Sequence, residues 1–451
     1  MKIIIAGAGE VGFHLAKLLS YESQEITLID PNKDSLLYAD SHLDIKVLKG
    51  DATSIRVLNE AKISGAELFI AVTSSQSTNI TACVLANQLG ANKTIARISN
   101  TEFIDFKNKG GFTKFGIDEM ISPEQLAAEE IELLLNQSVF SDTYEFENGA
   151  LTMLGLNLTT PAQIIGKTVR EAAQLFPNVH FVPIAIQRLG SHLTTIPRGD
   201  TMLSEGDHVV FITSKGGDEE LCKLAGLFKT EIKDVMILGG GRIGRKTAKS
   251  LTKLKGRFNV KIVENDKERA FELADRLPNA LVINGDGRNV ELLEEENIAD
   301  MDAYIAVTGN SETNIISSLV AKNRGVKKTI ALVENIDYFE LSHSIGIDTL
   351  INKKLLAANS IFRYIRKGDV VAMTKLSSMD AELLEFIVNP KSKICNQVIK
   401  ELNFPLTAII GGVIRDGIGM LALGDFKIVT GDRVVVCCLP TSIRKVESFF
   451  Y

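Results

Sequence analysis

The chain has 451 residues, too many for one compact core, and about two to four domains are expected. With 45% hydrophobic and 24% charged residues its composition is that of a globular protein, and a net charge of −6 offers no basic field to nucleic acid. The five cysteines (Cys83, Cys222, Cys395, Cys437, Cys438) form no C-x-x-C pair, and neither a signal peptide nor an apolar run of about 18 residues stands out, which points to buried thiols in a reducing, cytoplasmic setting.

Met1–Gly12 reads MKIIIAGAGEVG, a short apolar strand running into a G-x-G-x-x-G turn and then a helix. Further apolar runs fall near residues 26–30, 45–48, 67–72 and 93–97. Stretches of helical periodicity such as Asn79–Leu89 separate them. This alternation predicts a doubly wound parallel sheet over residues 1–137. From 138 to 228 the texture changes. The β-like runs Leu151–Leu156, Phe181–Gln187 and His208–Ile212, with one helical insert near Thr168–Phe176, predict a small α+β unit.

Asp234–Gly244 then reads DVMILGGGRIG and starts the scheme again. Apolar runs near 234–238, 260–263, 281–283, 302–307 and 328–333 predict a second parallel sheet over 229–367. Residues 368–451 repeat the small unit. It contains Leu383–Val388, a helical piece near Asn396–Leu402, Ala408–Ile414 and Arg433–Cys438. Asp416-Gly417 is a hairpin-turn signal. Cys437 and Cys438 are neighbours on a strand and should face opposite ways.

The duplication extends well beyond the glycines. Leu28-Ile29-Asp30 answers to Ile262-Val263-Glu264, and Lys49-Gly50-Asp51-Ala52 to Asn284-Gly285-Asp286-Gly287. Ala71-Val72-Thr73-Ser74 answers to Ala306-Val307-Thr308-Gly309, and Thr78-Asn79-Ile80 to Thr313-Asn314-Ile315. One such fingerprint is weak, but two with matching downstream sequence indicate a duplicated nucleotide-binding unit. The fold class expected is α/β: duplicated Rossmann-like doubly wound parallel sheets, each followed by a small α+β domain.

The motif assigns roles. In Gly7-Ala8-Gly9-Glu10-Val11-Gly12, the first glycine permits the tight turn, the second lets backbone N–H groups approach a pyrophosphate, and the third allows close packing of the helix. Gly239-Gly240-Gly241-Arg242-Ile243-Gly244 repeats the arrangement. The phosphates would sit at the helix N-terminus, where free N–H groups and the helix dipole favour an anion. Asp30 and Glu264 stand where a carboxylate accepts hydrogen bonds from adenosine ribose and disfavours a 2′-phosphate. NAD(H) or adenine nucleotides are therefore preferred to NADP(H). Asp51-Ala52 and Asp286-Gly287 have two open readings, a turn or N-cap and an adenine contact. Thr73, Ser74 and Thr308 either cap the next helix or border the phosphate crevice. Arg97 ends the fifth strand, as a solvated charge or a phosphate contact, while Arg242 and Arg245 either counter phosphate charge or face water.

The chemistry of a dehydrogenase is missing. No tyrosine has a lysine four residues on, and none of His14, His42, His180, His192, His208 and His343 is marked as a base. No metal-ligand spacing appears, and no segment large enough for a substrate domain exists beyond the two small units.

The doubled GAGEVG…LID…KGDAT…AVTSSQSTNI and GGGRIG…VEN…NGDGR…AVTGNSETNI pattern, each copy with a small β unit, closely resembles the RCK (KTN) domain family of regulatory subunits from Trk potassium uptake systems. The resemblance covers the whole chain and implies a non-enzymatic protein. It implies cytoplasmic homo-tetramers, peripheral on the inner face of the plasma membrane, gating a membrane potassium-translocating subunit of the TrkH/TrkG type. NAD(H) would compete with ATP or ADP for the nucleotide lobes. A basic residue at the position of Arg97 would contact phosphates; Leu332 takes that place in the second copy. The rival readings are an NAD-dependent oxidoreductase and an RCK-type regulator of another cation channel or antiporter.

Overall fold

The computed structural model describes residues 1–20, 24–100, 102–108, 111–136, 140, 142–147, 149–174, 181–191, 193–226, 232–254, 256–335, 346–365, 370–376 and 379–450. The boundaries expected at 137/138, 228/229 and 367/368 lie outside these residues, as do His180, His192 and His343.

The first sheet has β1 (Lys2–Ala6), β2 (Glu25–Asp30), β3 (Lys46–Lys49), β4 (Leu68–Ala71), β5 (Thr94–Arg97) and β6 (Glu119–Ile121). Their order is β3-β2-β1-β4-β5-β6 and every pairing is parallel. Near-continuous apolar runs such as Ile3-Ile4-Ile5 suit such a sheet, since helices cover both faces. The sequence did not indicate β6.

The first small unit is an antiparallel sheet of β7 (Asp142–Phe146), β8 (Leu151–Asn157), β9 (Phe181–Gln187), β10 (Thr194–Thr195) and β11 (His208–Ser214), ordered β10-β9-β11-β8-β7. The second parallel sheet repeats the first. It has β12 (Asp234–Leu238), β13 (Asn259–Glu264), β14 (Ala280–Asn284), β15 (Ala303–Ala306), β16 (Lys328–Leu332) and β17 (Thr349–Ile351), ordered β14-β13-β12-β15-β16-β17. The last sheet has β18 (Val370–Lys375), β19 (Glu382–Ile387), β20 (Ala408–Arg415), β21 (Ile418–Leu421) and β22 (Arg433–Cys438), ordered β18-β19-β22-β20-β21. Asp416 and Gly417 join β20 to β21 with φ of 53° and 77°, the two positive values of a type I′ hairpin. The helix expected near Asn396–Leu402 is only a 3₁₀ turn at Ile399–Glu401. Asn396 sits at φ 62°, a left-handed conformation that no α-helix accommodates.

The two halves are interlocked. The turn helix Glu10–Ser20 buries Val11 and Leu15 in one core with Ala357, Ile361 and Phe362 of the helix Lys353–Ile365. Reciprocally, the second turn helix Arg242–Lys253 shares a core with Ala127, Ile131 and Leu135 of the helix Pro123–Asn136. Each crossover helix thus leaves its own half to pack on the other half's turn helix. The small units also meet. Ile184, Val210 and Ile212 pack against Leu383, Val435 and Cys437, while Cys438 faces the opposite core. Arg198 Nη2 clasps the second small unit by donating to the carbonyls of Pro405, Leu406 and Ala408 at 3.1, 3.0 and 2.9 Å.

Candidate functional site

In both parallel sheets the strand order reverses between the first strand and the fourth, which opens a crevice at their carboxyl ends. The glycine turns lie there. Gly7 has φ +110° and Gly239 φ +100°. A side chain at Gly7 would also lie 3.0 Å from the backbone N of Thr73. A Cβ on Gly12 would lie 1.8 Å from the carbonyl oxygen of Gly7, and one on Gly244 would lie 1.9 Å from that of Gly239. The third glycine therefore closes the turn on itself as well as admitting the helix. Gly9 and Gly241 differ, because a Cβ at either meets nothing within 4 Å. These two positions face open space at the helix N-terminus, where the motif requires a pyrophosphate.

The two acids are placed identically. Asp30 accepts from Ala8 N at 2.6 Å and from Asn32 N at 2.8 Å. Glu264 accepts from Gly240 N and Asp266 N, both at 2.8 Å. Each carboxylate ties the glycine turn to the end of the second strand. Each oxygen keeps a further lone pair for a ribose hydroxyl. Glu264 is 6% exposed and Arg269 Nη1 lies 3.5 Å from it.

Asp51 and Asp286 begin the turns after the third strands. Asp51 accepts from the amide and hydroxyl of Thr53, both at 2.8 Å, and these bonds hold its carboxyl below the usual range. Arg288 grips Asp286, with Nη2 2.6 Å from Oδ2, and this bond and the Arg288 amide lower that carboxyl too. Ala52 is buried, and a side chain on Gly287 would run into Leu238, so both serve packing beside the crevice.

The A-V-T-x-x-x-x-T-N-I run has a structural meaning that the sequence did not disclose. Asn79 Oδ1 accepts from Thr73 N at 2.9 Å and from Thr73 Oγ1 at 2.6 Å. Its Nδ2 donates to the carbonyls of Thr73 at 3.1 Å and Arg97 at 2.8 Å. Asn314 repeats all four bonds with Thr308 and Leu332 at 2.9, 2.6, 3.1 and 2.8 Å. Both asparagines are fully buried. They fasten the ends of the fourth and fifth strands and so fix the floor of the crevice. Thr73 and Thr308 are parts of this clamp, Ser74 is exposed, and Ser75 and Asn310 cap the helices that follow. Arg97 is half-buried at the end of β5, whereas Leu332 lies in the core.

The second crevice is a cavity of about 430 Å³, within the range of small-molecule sites. Gly239, Gly241, Glu264, Asp286, Gly287 and Thr308 all line it, and so do Arg269 and Arg288. The residues expected for the second site are thus brought together, except that Gly240, Arg242, Ile243 and Gly244 shape the turn from outside the lining. Arg242 faces Glu124 on the first crossover helix at 3.8 Å. Its counterpart Glu10 pairs with Lys354 on the second crossover helix. No cluster of His, Cys, Asp and Glu among the described residues is arranged to hold a metal ion. No helix among them is long and apolar enough to cross a membrane.

Residues 3–123 and 235–353 match the family model described as the TrkA-N domain, and residues 153–226 and 383–451 match the TrkA-C domain. The Trk system potassium uptake protein TrkA homolog 1 of Methanosarcina mazei is 32% identical over 457 residues, covering 100% of both chains. The Trk system potassium uptake protein TrkA of Halomonas elongata is 32% identical over 455 residues, covering 100% of this chain and 98% of that one. Among solved structures, the GsuK RCK domain superposes with a TM-score of 0.60 at 16% identity, covering 100% of this chain and 94% of that one. The GsuK channel bound to NAD gives 0.61 at 17%, covering 100% and 78%. These two likenesses bear on the fold alone. With both domain types matched twice and relatives aligned end to end, the chain belongs to the TrkA family of Trk-system potassium uptake proteins, a family of regulators that are not enzymes.

Proposed function

We propose that each crevice binds an adenine nucleotide, NAD(H) with ATP or ADP as competitors, and that occupancy biases how the two halves pack. This packing is relayed to a membrane potassium-translocating partner on which a homo-tetramer of the chain sits, at the inner face of the plasma membrane. The observation that carries the reading is the second crevice. The open position above Gly241 and the buried Glu264 carboxylate, which holds the neighbouring Gly240 N, line one cavity of about 430 Å³. An anion cradle beside a ribose acceptor is what an adenosine diphosphate moiety requires. The relatives are named for potassium uptake, and one solved fold relative holds NAD.

In this reading Gly9 and Val11 with their counterparts Gly241 and Ile243 present backbone N–H groups to the pyrophosphate, while Gly7, Ala8, Gly239 and Gly240 spend theirs on holding the turn to the end of the second strand. Asp30 and Glu264 receive the ribose, Asp51 and Asp286 flank the adenine, and Arg97 reaches a terminal phosphate in the first crevice only. A ligand shifts the packing only if it binds two arrangements with different affinity. The interlock supplies the lever, because each turn helix is packed on the other half's crossover helix. The test is calorimetric titration of NADH, ATP and ADP into the full chain, followed by potassium flux from the chain reconstituted with its translocating partner. Two binding events per chain, with flux that changes on adding ATP or ADP, are expected. Confirmed binding with flux identical in all conditions refutes the regulatory part.

A further inference from the structure

A second cavity, of 1160 Å³, lies between the two halves and is lined by none of the glycine-turn residues. One wall is the solvent side of the second turn helix. Arg245, Lys246, Lys249 and Lys253 fall on one face there, at spacings of one, four and eight residues. The opposite face of that helix, with Ile243, Ala248 and Leu251, is committed to the core. Arg276, at the end of the next helix, adds a fifth cation to the same wall.

The other wall carries Glu102, Glu119 and Glu129. Each of these accepts a hydrogen bond from its own side: from Asn100 Nδ2 at 3.3 Å, Met120 N at 3.2 Å and Gln125 Nε2 at 2.8 Å. Arg245, Lys249, Lys253 and Arg276 form no ion pair among the described residues. Lys246 is half-buried and its ammonium is pushed below its ordinary range. Burial is the main cause, Glu124 opposes it, and Arg245 and Lys249 add repulsion. Five cations against three carboxylates leave the cleft positive in a chain whose net charge is −6.

We propose that this cleft binds a compact polyanion carrying several phosphate groups, held by the basic face of the second turn helix. Arg245 to Lys253 spans about 12 Å of helix, so one phosphate meets one turn while a chain of phosphates meets them all. Arginine and lysine together suit such a ligand, one as a planar fork and the other as a point charge. An anion there would relieve the repulsion around Lys246. It would also touch the helix whose N-terminus forms the second glycine turn. The site is separate from both crevices and does not depend on their ligand.

The probe is inorganic tripolyphosphate, titrated calorimetrically at constant ionic strength into the full chain carrying Gly9→Asp and Gly241→Asp. Those substitutions put a carboxylate in each crevice without a clash, since nothing lies within 4 Å of either Cβ. Saturable binding of one tripolyphosphate per chain is expected. Adding Lys249→Glu and Lys253→Glu, both at exposed positions, should weaken it at least tenfold, and Lys249→Gln with Lys253→Gln by less. Binding that vanishes with the two aspartates alone would assign the phosphates to the crevices and overturn the proposal. Affinity unchanged by the lysine substitutions, or matched by sulfate, would overturn it equally.

Discussion

Lys354, on the crossover helix of the second half, forms an ion pair with Glu10 in the glycine turn of the first half. Its positional counterpart is the contact of Glu124 on the first crossover helix with Arg242 in the second turn, at 3.8 Å. The two pairs occupy the same place in the duplicated fold with their charges reversed. Lys354 is also held by Glu334, at 3.2 Å, whereas Glu124 Oε2 has no hydrogen-bond partner among the described residues. The first glycine turn therefore presents an acid backed by a lysine, and the second presents an arginine backed by an acid.

Substitutions of the pair should act on anionic ligands with opposite sign. Glu10→Gln removes a negative charge from the helix N-terminus where phosphates would sit. It should tighten ADP binding at the first crevice by about 0.3–1 kcal/mol. Lys354→Gln should weaken it by a similar amount. Calorimetry with ADP reads both, and changes of the same sign would refute the electrostatic account.

The crevice assignment makes a sharper demand on the second glycines. Gly9→Asp and Gly241→Asp should leave the thermal midpoint nearly unchanged, because the added Cβ meets nothing within 4 Å. Each should nevertheless abolish one of two NADH binding events by placing a carboxylate where the pyrophosphate belongs. Gly12→Asp, with its Cβ 1.8 Å from a carbonyl oxygen, should instead fail to fold stably. Unaltered NADH stoichiometry in Gly9→Asp would contradict the site.

The buried asparagines are expected to matter more for stability than their surface neighbours. Asn79→Ala and Asn314→Ala each leave the threonine amide and two strand-end carbonyls without their partner, at a cost of about 1–3 kcal/mol per orphaned group. Thermal denaturation should show clear losses for both, with weaker nucleotide binding in the same lobe. Thr73→Val should fall in between, since it keeps the amide bond to Asn79 and removes the hydroxyl's bonds, to Asn79 Oδ1 at 2.6 Å and with Ser75 at 3.2–3.3 Å.

One acid gives a pH signature. Asp302 Oδ2 accepts from Lys233 N at 2.8 Å and Asp234 N at 3.0 Å, and Lys327 Nζ lies 2.7 Å from Oδ1. Burial alone would raise its pKa, but the lysine and the two amides outweigh that and hold it below its ordinary value. A depressed carboxylate stabilises the fold above its unfolded pKa of about 3.9, and the contribution is lost as pH falls through the folded value. Asp302→Asn should therefore lower the melting temperature at pH 7, and the gap from the parent should close as pH falls below the unfolded carboxylate value. A gap independent of pH would exclude the ionised form as its source.

Much of the site was legible because its logic is local. The glycine turn, the acid at the end of the second strand and the hairpin at Asp416-Gly417 each declare a backbone requirement within a few residues. The third strands and the repeat register followed from apolar runs. Other features are not local. β6 and β17 have three residues each and show no periodicity of their own. Asn79 and Asn314 look like ordinary polar residues near helix starts until the fold brings Arg97 and Leu332 beside them. The swap of the crossover helices between halves, and with it the Glu10–Lys354 contact, joins residues too far apart for any local pattern to record.

The core around the first turn helix has a further consequence for how the chain comes into being. Ile3 and Leu15 belong to one cluster with Ala357, Ile361 and Phe362 of the second crossover helix, and that cluster runs on to Phe386, Val446 and Phe450, where the Phe386 and Phe450 rings stack at 4.1 Å. A nascent chain thus makes its first strand long before the residues that shield that side of the lobe leave the ribosome. Domain-by-domain folding during synthesis is the usual order for large proteins, yet here the opening domain stays unfinished until the second crossover helix has been made. Chains that stop short of the helix Lys353–Ile365 should display an apolar flank on the amino-terminal lobe, and such truncated products are natural clients for chaperones and proteases.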